Sequence, residues 1–263
     1  MEIEELLKEH NLDQCNGYFS PLNVDTFEVA KTGDNNKSFD QATYRRAIGN
    51  LLYLANCTRP DLSFAVSFLG QFCEAPLKAH WVGVKHVLRY LKQTKELSLT
   101  YSKTNKPPQY FCDADFSQNK YDRKSFSGFI SLFAGGAVVW SCRKQTSVSM
   151  STVVAEYLAM SSAIPEVLWF NRTLIEMGFD NYAPKPPTLL VDNSGAMFVA
   201  KSRSISRKTK RIDERHHYIR DEFQKGNIRF AHISSSENVA DILTKSLPPA
   251  RNKVFLRAMG LLS

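Results

Sequence analysis

Residues 110–113 read Tyr-Phe-Cys-Asp, an apolar run of the length of a short β-strand that ends in an acid. Two further apolar runs, 127–133 and 137–142, lie on either side of Gly135-Gly136. A Gly-Gly pair between two such runs is typical of a β-hairpin, because glycine adopts turn conformations at little steric cost. These three strands predict that a β-sheet forms the framework of this part of the chain.

A long helix is predicted after the hairpin, from Ser151 as the N-cap to Met177, just before Gly178. Pro165 lies in its middle, where proline removes a backbone hydrogen bond and costs on the order of 3 kcal/mol unless the helix kinks. Further elements are predicted in the order strand, helix, helix, strand, helix, at 189–191, 194–200, 213–225, 228–233 and 238–247. The alternation predicts the α/β (α+β) class, with a mixed five-stranded sheet flanked by helices.

The region before residue 110 has a different pattern. Apolar residues between 44 and 95 recur at helical spacing and predict three helices. A polar stretch that contains Lys106-Pro107-Pro108 then predicts a domain boundary. The sequence therefore predicts three parts, which are a polar, partly extended lead-in at 1–40, a small helical segment at 41–104 and a sheet domain at 105–263.

Composition limits the class of protein and its setting. The chain has 263 residues, 43% of them hydrophobic, which is enough for a folded core. Its five cysteines are an odd number without Cys-x-x-Cys spacing, which argues against a disulfide framework and a zinc site. No apolar run approaches the roughly 20 residues of a membrane helix, and the N-terminus is acidic rather than signal-like. We therefore expect an intracellular protein without a membrane partner, cytoplasmic and with nuclear entry left open.

The net charge of +8 predicts an anionic partner, and the positive charge is clustered. From Lys201 to Arg211 there are six Lys or Arg and no acid, interleaved with Ser and Thr that can bind phosphate oxygens. A solvated loop or an import signal explains this stretch equally well. Our candidate nucleic-acid-binding residues are Lys201, Arg203, Lys208, Lys210 and His217, the last with a plain surface role as its alternative.

Four acids stand where this arrangement of strands and helices gathers side chains. Asp113 and Asp192 end predicted strands, Glu156 lies in the first turns of the long helix, and Asp241 opens a later helix. Clustered carboxylates repel one another unless cations neutralise them, and oxygen ligands suit Mg²⁺. Each acid taken singly also has an ordinary structural explanation, such as a strand-to-helix cap. Asp115 is a second candidate for the first position.

Several motifs occur in an order that resembles one family. They are Cys-Asp-Ala-Asp-Phe at 112–116, Trp-Ser-Cys-Arg-Lys-Gln at 140–145, Ala-Glu-Tyr-Leu-Ala at 155–159, Asp-Asn-Ser-Gly-Ala at 192–196 and Glu-Asn-Val-Ala-Asp-Ile-Leu-Thr-Lys at 237–245. The series resembles the C-terminal ribonuclease H domain of copia-type (LTR) retrotransposon Pol polyproteins. Residues 44–54, 58–62 and 86–92 are similar to the thumb-like connection segment that joins polymerase to ribonuclease H in those polyproteins.

The resemblance implies a ribonuclease H-like fold and an endonuclease that cuts the RNA strand of RNA/DNA hybrids with two Mg²⁺ or Mn²⁺ ions about 3.5–4 Å apart. By position, its catalytic metal ligands are Asp113, Glu156, Asp192 and Asp241. It also implies an upstream polymerase domain of the same polyprotein as a partner. A polymerase needs adjacent aspartates and the sequence has no Asp-Asp dipeptide, so we expect no polymerase activity from this chain alone.

A different class of function is the alternative. The chain would then be a catalytically inactive, host-retained module that binds nucleic acid or serves as a scaffold. The Pro165 kink and the missing polymerase motif motivate this alternative. Glu156 lies more than two turns before Pro165, so a kink there leaves room for an intact site.

Overall fold

The part of the chain that the structure describes forms two compact units. This computed structural model describes residues 3–22, 37–116, 122–202 and 213–263, without the side chains of 213–217. The first unit comprises Met1–Thr100 and Lys245–Ser263, and the second comprises Tyr101–Thr244. The chain therefore leaves the first unit, completes the second and returns to the first.

The described helices and strands follow an order close to the predicted one. In chain order they are α1 (Ile3–Glu9), α2 (Gln41–Cys57), a 3-10 helix (Pro60–Leu62), α3 (Ser63–Gly70), α4 (Lys78–Gln93), β1 (Ser98–Leu99), β2 (Gln109–Ala114), β3 (Phe126–Phe133), β4 (Gly136–Lys144), α5 (Thr152–Glu176), a 3-10 helix (Asp180–Tyr182), β5 (Thr188–Val191), α6 (Ser194–Lys201), α7 (Asp213–Gln224), β6 (Arg229–His232), a 3-10 helix (Val239–Leu243), α8 (Pro249–Ala258) and β7 (Leu261–Leu262).

The start of the chain differs from the expected extended lead-in, because its first described residues form α1. Leu6 and Leu7 on this helix are buried, and Glu4 forms an ion pair with Lys95 at 2.8 Å. Burial of apolar side chains is what stabilises so short a helix. The part of the lead-in at 23–36 lies outside the described residues.

The C-terminal segment 245–263 belongs to the first unit, whereas the sequence placed it in the sheet domain. Strand β7 pairs antiparallel with β1, so that Leu262 lies opposite Ser98. Asn252 on α8 donates a hydrogen bond to the carbonyl oxygen of Phe19 at 3.2 Å. The observed boundary after Thr100 also lies a few residues before the predicted one. These contacts join segments that are distant in the sequence, which a local pattern does not reveal.

A buried ion pair lies inside the first unit, at the link between α2 and α3. Arg59 donates to both carboxylate oxygens of Asp61, at 3.0 and 2.7 Å, and to two oxygens of Thr94. Tyr90 donates its hydroxyl hydrogen to Asp61 at 2.7 Å. Burial lowers the pKa of Arg59, but attraction by Asp61 and the hydrogen bonds to it outweigh burial and raise this pKa overall. The pair is therefore charged and fully enclosed.

The second unit is built on a mixed five-stranded sheet, and the predicted fold class is confirmed. The strand order is β4-β3-β2-β5-β6. Strands β2, β3 and β4 pair antiparallel, whereas β2 with β5 and β5 with β6 pair parallel. Because β2 and β5 are parallel neighbours, their carboxyl ends lie at the same edge of the sheet.

Helix α5 packs on this sheet and begins and ends near the predicted residues. Tyr157 and Ile164 on α5 join Tyr110 on β2 in one hydrophobic core. Ser151 is the N-cap, and its Oγ accepts a hydrogen bond from the backbone N–H of Val154 at 3.3 Å. The helix continues through Pro165, which lies on its exposed side. The break that Pro165 could have caused is therefore not observed.

By length and composition, α5 is the one described helix that would also be able to cross a membrane. Of its most apolar window, 56% is buried inside the protein. A buried core helix has the same apolar composition as a membrane-spanning helix, because its apolar side chains face the sheet instead of lipid.

The helix predicted at 238–247 is a shorter 3-10 helix. Asn238 begins it, because its Oδ1 accepts a hydrogen bond from the backbone N–H of Ala240 at 3.2 Å. At its end, the amide of Thr244 donates to the carbonyl oxygen of Asp241 at 3.2 Å, which is the i to i−3 bond of a 3-10 helix. The predicted helix is therefore wrong in type and length, but it does place Asp241 on a helical turn.

A candidate metal centre in the second unit

Asp113, the first of the predicted acids, lies near the end of β2. Every residue of this strand after Gln109 is buried, and Asp113 is 2% exposed. The alternative, Asp115, lies just beyond the strand, where its Oδ1 accepts a hydrogen bond from the backbone N–H of Phe126. Asp115 therefore secures the pairing of β2 with β3, and Asp113 is the acid that faces the other candidates.

Asp192 directly follows β5 and precedes α6. The next residue, Asn193, is the N-cap of this helix, and its Oδ1 accepts a hydrogen bond from the backbone N–H of Ala196 at 2.9 Å. At Gly195, a Cβ atom would lie 2.9 Å from Cγ2 of Val153, so the first turns of α6 and α5 are in close contact. This packing fixes the turn that carries Asp192.

Asp241 lies in the 3-10 helix Val239–Leu243 and is fully buried. Two hydrogen bonds attach this helix to β2. Asn238 donates through Nδ2 to the carbonyl oxygen of Cys112 at 3.0 Å, and Thr244 donates through its hydroxyl to Oδ2 of Asp113. The helix therefore holds Asp241 beside the strand that carries Asp113.

The carboxylates of Asp113, Asp192 and Asp241 converge. One oxygen from each lies within 4.8 Å of the oxygens from the other two. Asp113 and Asp241 are buried, whereas Asp192 is partly exposed. Of the three residues, Asp192 is therefore the one that solvent reaches.

Glu156, the fourth predicted acid, lies in the second turn of α5 and is 4% exposed, but it is not one of the three converging residues. An electrostatic effect still connects it to them. Burial raises the pKa of the Cys112 thiol well above its usual range, and the charges of Glu156, Asp113 and Asp192 raise it further. The carboxylates of Glu156, Asp113 and Asp192 therefore all act on one buried thiol.

The donor atoms of this cluster suit a hard divalent cation. Carboxylate oxygens are the ligands that Mg²⁺ and Mn²⁺ prefer. Within the described part of the chain, Oδ1 of Asp192 is buried and accepts no hydrogen bond. A buried charged oxygen without a donor is costly unless a cation takes the donor's place. The residues that would hold such an ion are therefore Asp113, Asp192 and Asp241.

Gln145, directly after β4, fixes the start of α5. Its Nε2 donates to the carbonyl oxygen of Ala155 and to Oγ of Ser127, both at 2.9 Å. Ser149 donates to Oε1 of Gln145 at 2.8 Å. The bond to Ala155 holds the peptide next to Glu156, so Gln145 ties this acid to the sheet.

Gly128 on β3 allows the 3-10 helix to approach the sheet. A Cβ atom at this position would lie 2.8 Å from Cγ2 of Thr244, 2.9 Å from Cβ of Leu243 and 3.0 Å from the carbonyl oxygen of Ala240. All three distances are shorter than normal van der Waals contacts, and one involves backbone. Only glycine fits here without displacing the helix that carries Asp241.

We expect Gly128→Ala to lower the free energy of unfolding by about 1–3 kcal/mol, the usual cost of overpacking. The displaced helix should also weaken the binding of Mn²⁺. Urea unfolding and isothermal titration calorimetry measure the two effects. Gly49→Ala is the matched control, because a Cβ atom there meets nothing within 4 Å. A Gly128→Ala protein that matches this control in both measurements would contradict the prediction.

Of the candidate nucleic-acid-binding residues, Lys201 is the one that the structure describes in full. It is exposed in the last turn of α6, the helix that starts after Asp192 and Asn193. Three others lie outside the described residues, namely Arg203, Lys208 and Lys210. The fifth, His217, lies on α7, but its side chain is not described. Their proposed contacts with phosphate stay predictions.

Sequence reasoning did not identify four residues that support the site, which are Thr244, Asn238, Gly128 and Gln145. Three of them stand inside the motifs at 140–145 and 237–245, so the motifs contained a signal. Their partners lie elsewhere in the chain, and no spacing rule points to them.

No family model matches the chain. The retrovirus-related Pol polyprotein from transposon TNT 1-94 of Nicotiana tabacum is 33% identical over 259 residues, which cover 97% of this chain and 19% of that protein. The corresponding polyprotein from transposon RE2 of Arabidopsis thaliana is 34% identical over 224 residues, 85% of this chain and 15% of that protein. The secreted RxLR effector protein 161 of Plasmopara viticola is 38% identical over 129 residues, 49% of this chain and 91% of that protein.

Among solved structures, LC11 ribonuclease H1, isolated from compost, is 17% identical with a TM-score of 0.40, covering 52% of this chain and 92% of that protein. Its complex with an RNA/DNA hybrid is 15% identical with a TM-score of 0.36, covering 52% of this chain and 93% of that protein. Likenesses this distant carry no argument about the activity of this chain.

The sequence matches to the transposon polyproteins extend over most of this chain, as the ordered motifs predict. The chain spans about a fifth or less of the length of these relatives. Over most of its length, the chain is therefore related in sequence to part of the retrovirus-related Pol polyproteins from transposons.

Proposed function

We propose that this chain is an endonuclease that hydrolyses the RNA strand of RNA/DNA hybrids with divalent cations. The observation that carries the proposal is the convergence of Asp113, Asp192 and Asp241, whose carboxylate oxygens lie within 4.8 Å of one another. The ordered ribonuclease H motifs and the relationship to Pol polyproteins support the choice of substrate.

Each acid has a distinct part in this proposal. Two bound Mg²⁺ ions would activate a water molecule and stabilise the leaving oxygen of the phosphodiester. Asp113 and Asp241 are buried and form the closed side of the site. Asp192 is partly exposed, so the scissile phosphate enters from its side. Glu156 is the fourth proposed ligand, and Gln145 holds the neighbouring peptide in place.

The basic residues would bind the flanking phosphates. Lys201 lies about 10 Å along α6 from Ser194, given a rise of about 1.5 Å per residue. From there it would contact a phosphate beside the scissile one, together with Arg203, Lys208, Lys210 and His217. Such contacts make binding weaken as the salt concentration rises.

Partners and setting are inferred from the family. We propose that the chain works with the polymerase domain of a longer polyprotein, because the Pol polyproteins that it matches are several times longer. Since the sequence has no Asp-Asp dipeptide, this chain alone would not synthesise DNA. We propose that this chain cleaves hybrids in the cytoplasm or the nucleus.

The test is a cleavage assay with an RNA/DNA hybrid labelled on each strand in turn. We expect the wild-type protein to cut the RNA strand in Mg²⁺ and to stop when EDTA removes the cation. Double-stranded RNA and double-stranded DNA should stay intact. Asp180→Asn, an exposed change in the same unit, should cleave like the wild type.

Two results would decide against this function. Hybrid binding without any cleavage in Mg²⁺ or Mn²⁺ would favour the inactive binding module instead. Equal cleavage in EDTA would rule out the cation mechanism.

A further inference from the structure

The hydroxyl of Thr244 lies between two of the three converging aspartates. Thr244 is fully buried, and its Oγ1 is within hydrogen-bond distance of Oδ2 of Asp113 and, at 3.2 Å, of the carbonyl oxygen of Asp241. It ends the 3-10 helix on which Asp241 lies, and 131 positions separate it from Asp113. One side chain therefore contacts a proposed ligand on each of two distant segments.

The single hydroxyl proton cannot serve both oxygens. A hydrogen bond to a carboxylate is roughly twice as strong as one to a neutral carbonyl. The carbonyl oxygen of Asp241 already accepts a hydrogen bond from the backbone N–H of Thr244 at 3.2 Å. The hydroxyl of Thr244 therefore donates to Asp113.

Two features keep this hydroxyl in place. Asn238 fixes the start of the 3-10 helix to β2 through the carbonyl oxygen of Cys112 at 3.0 Å. Gly128 leaves room for the methyl group of Thr244, which lies 2.8 Å from where a Cβ atom would be. The hydroxyl of Thr244 therefore contacts Asp113 from the end of a closely packed 3-10 helix.

We propose that Thr244 is a positioning residue for the metal centre, whose hydroxyl holds the carboxylate of Asp113 in the orientation that meets Asp192 and Asp241. The inference rests on the proposed function only in taking this cluster as a cation site. A carboxylate that is already held loses little rotational freedom when an ion binds. Without the hydroxyl, the Asp113 carboxylate turns more freely and loses this donor to its buried oxygen.

Three variants of the full chain isolate the hydroxyl in two matched pairs. The wild type and Thr244→Val differ by a hydroxyl in place of a methyl group. Thr244→Ser and Thr244→Ala both lack the methyl group and differ only by the hydroxyl. Isothermal titration calorimetry with MnCl₂ alone gives the affinity of each protein, and calorimetric melting without metal shows that each is folded.

We expect the protein without the hydroxyl to bind Mn²⁺ roughly 10- to 100-fold more weakly within each pair, the usual effect of removing a hydrogen bond to a metal ligand. Thr244→Ser should stay within about threefold of the wild type. If the effect came from loss of packing alone, Thr244→Ser and Thr244→Ala would bind Mn²⁺ with equally reduced affinity. If Thr244→Val does not fold, the Ser and Ala pair decides.

The outcomes separate this inference from the proposed function. Equal Mn²⁺ affinity within both pairs overturns the role of Thr244, even if the wild type cleaves hybrids. Wild-type protein that binds Mn²⁺ without cleaving hybrids overturns the proposed function, while the pairs still test Thr244. Wild-type protein that binds no Mn²⁺ overturns both.

Discussion

Replacement of Asp192 by Asn should nearly abolish hybrid cleavage and, at the same time, raise the melting temperature of the metal-free protein. Loss of a hydrogen bond to a metal ligand usually lowers activity roughly 10- to 100-fold. Asp192→Asn removes a proposed ligand itself, so cleavage should fall by more than this factor. The amide keeps the size of the carboxylate and removes its charge. Function and stability are therefore expected to change in opposite directions.

The gain in stability comes from reduced repulsion. Two like charges 4.8 Å apart repel by about 3 kcal/mol at an effective dielectric constant of about 20. Asp192→Asn removes this repulsion towards both Asp113 and Asp241, and solvent at the exposed side of Asp192 reduces the benefit. A net gain of about 1 kcal/mol would raise the melting temperature by about 2–4 °C in a protein of this size.

Calorimetry in EDTA and in MgCl₂ measures the effect on stability. In EDTA the Asp192→Asn protein should melt above the wild type. In MgCl₂ the order should reverse, because only the wild type gains the full free energy of cation binding. Asp180→Asn is the control, since it removes an equal charge from an exposed site. It should leave the melting temperatures in EDTA and in MgCl₂ unchanged. An Asp192→Asn protein that cleaves at the wild-type rate would refute the assignment.

The largest loss of stability is expected in the first unit, from Arg59→Met. This change leaves the carboxylate of Asp61 buried, with the hydroxyl of Tyr90 as a remaining donor. Breaking a buried ion pair by removing one partner usually costs about 3–5 kcal/mol. We expect a loss of this order in the free energy of urea unfolding.

Two controls distinguish the buried charge from the loss of packing. Lys95→Met breaks the exposed ion pair with Glu4 in the same unit and should change the free energy of unfolding little, because solvent screens exposed charges. The double variant Arg59→Met/Asp61→Leu should recover much of the loss, because no unpaired charge stays buried. If the double variant is no more stable than Arg59→Met, packing rather than charge explains the loss.

The sequence was most informative where a local pattern decides the structure. Alternation of strands and helices predicted the mixed sheet, and the strand ends marked Asp113 and Asp192 as neighbours. This worked because β2 and β5 pair parallel, so their last residues meet at one edge. Ser151 was found as an N-cap because capping depends on residues within one turn.

The supporting contacts could not be predicted in the same way. Thr244 and Asn238 bond to residues 131 and 126 positions away, and Gly128 matters only because the 3-10 helix lies against it. The place of 245–263 was missed for the same reason, since the pairing of β7 with β1 depends on the closed fold. Pairings between distant segments leave no periodicity in the sequence.

The return of the chain to the first unit has a genetic consequence. A premature stop codon anywhere in 101–241 removes Asp241 from the acid cluster, and it also removes Asn252 and the last strand, Leu261–Leu262. An upstream gene fragment would thus encode a first unit that lacks its closing helix and strand. Decay of the reading frame in the middle of the gene would damage both units at once.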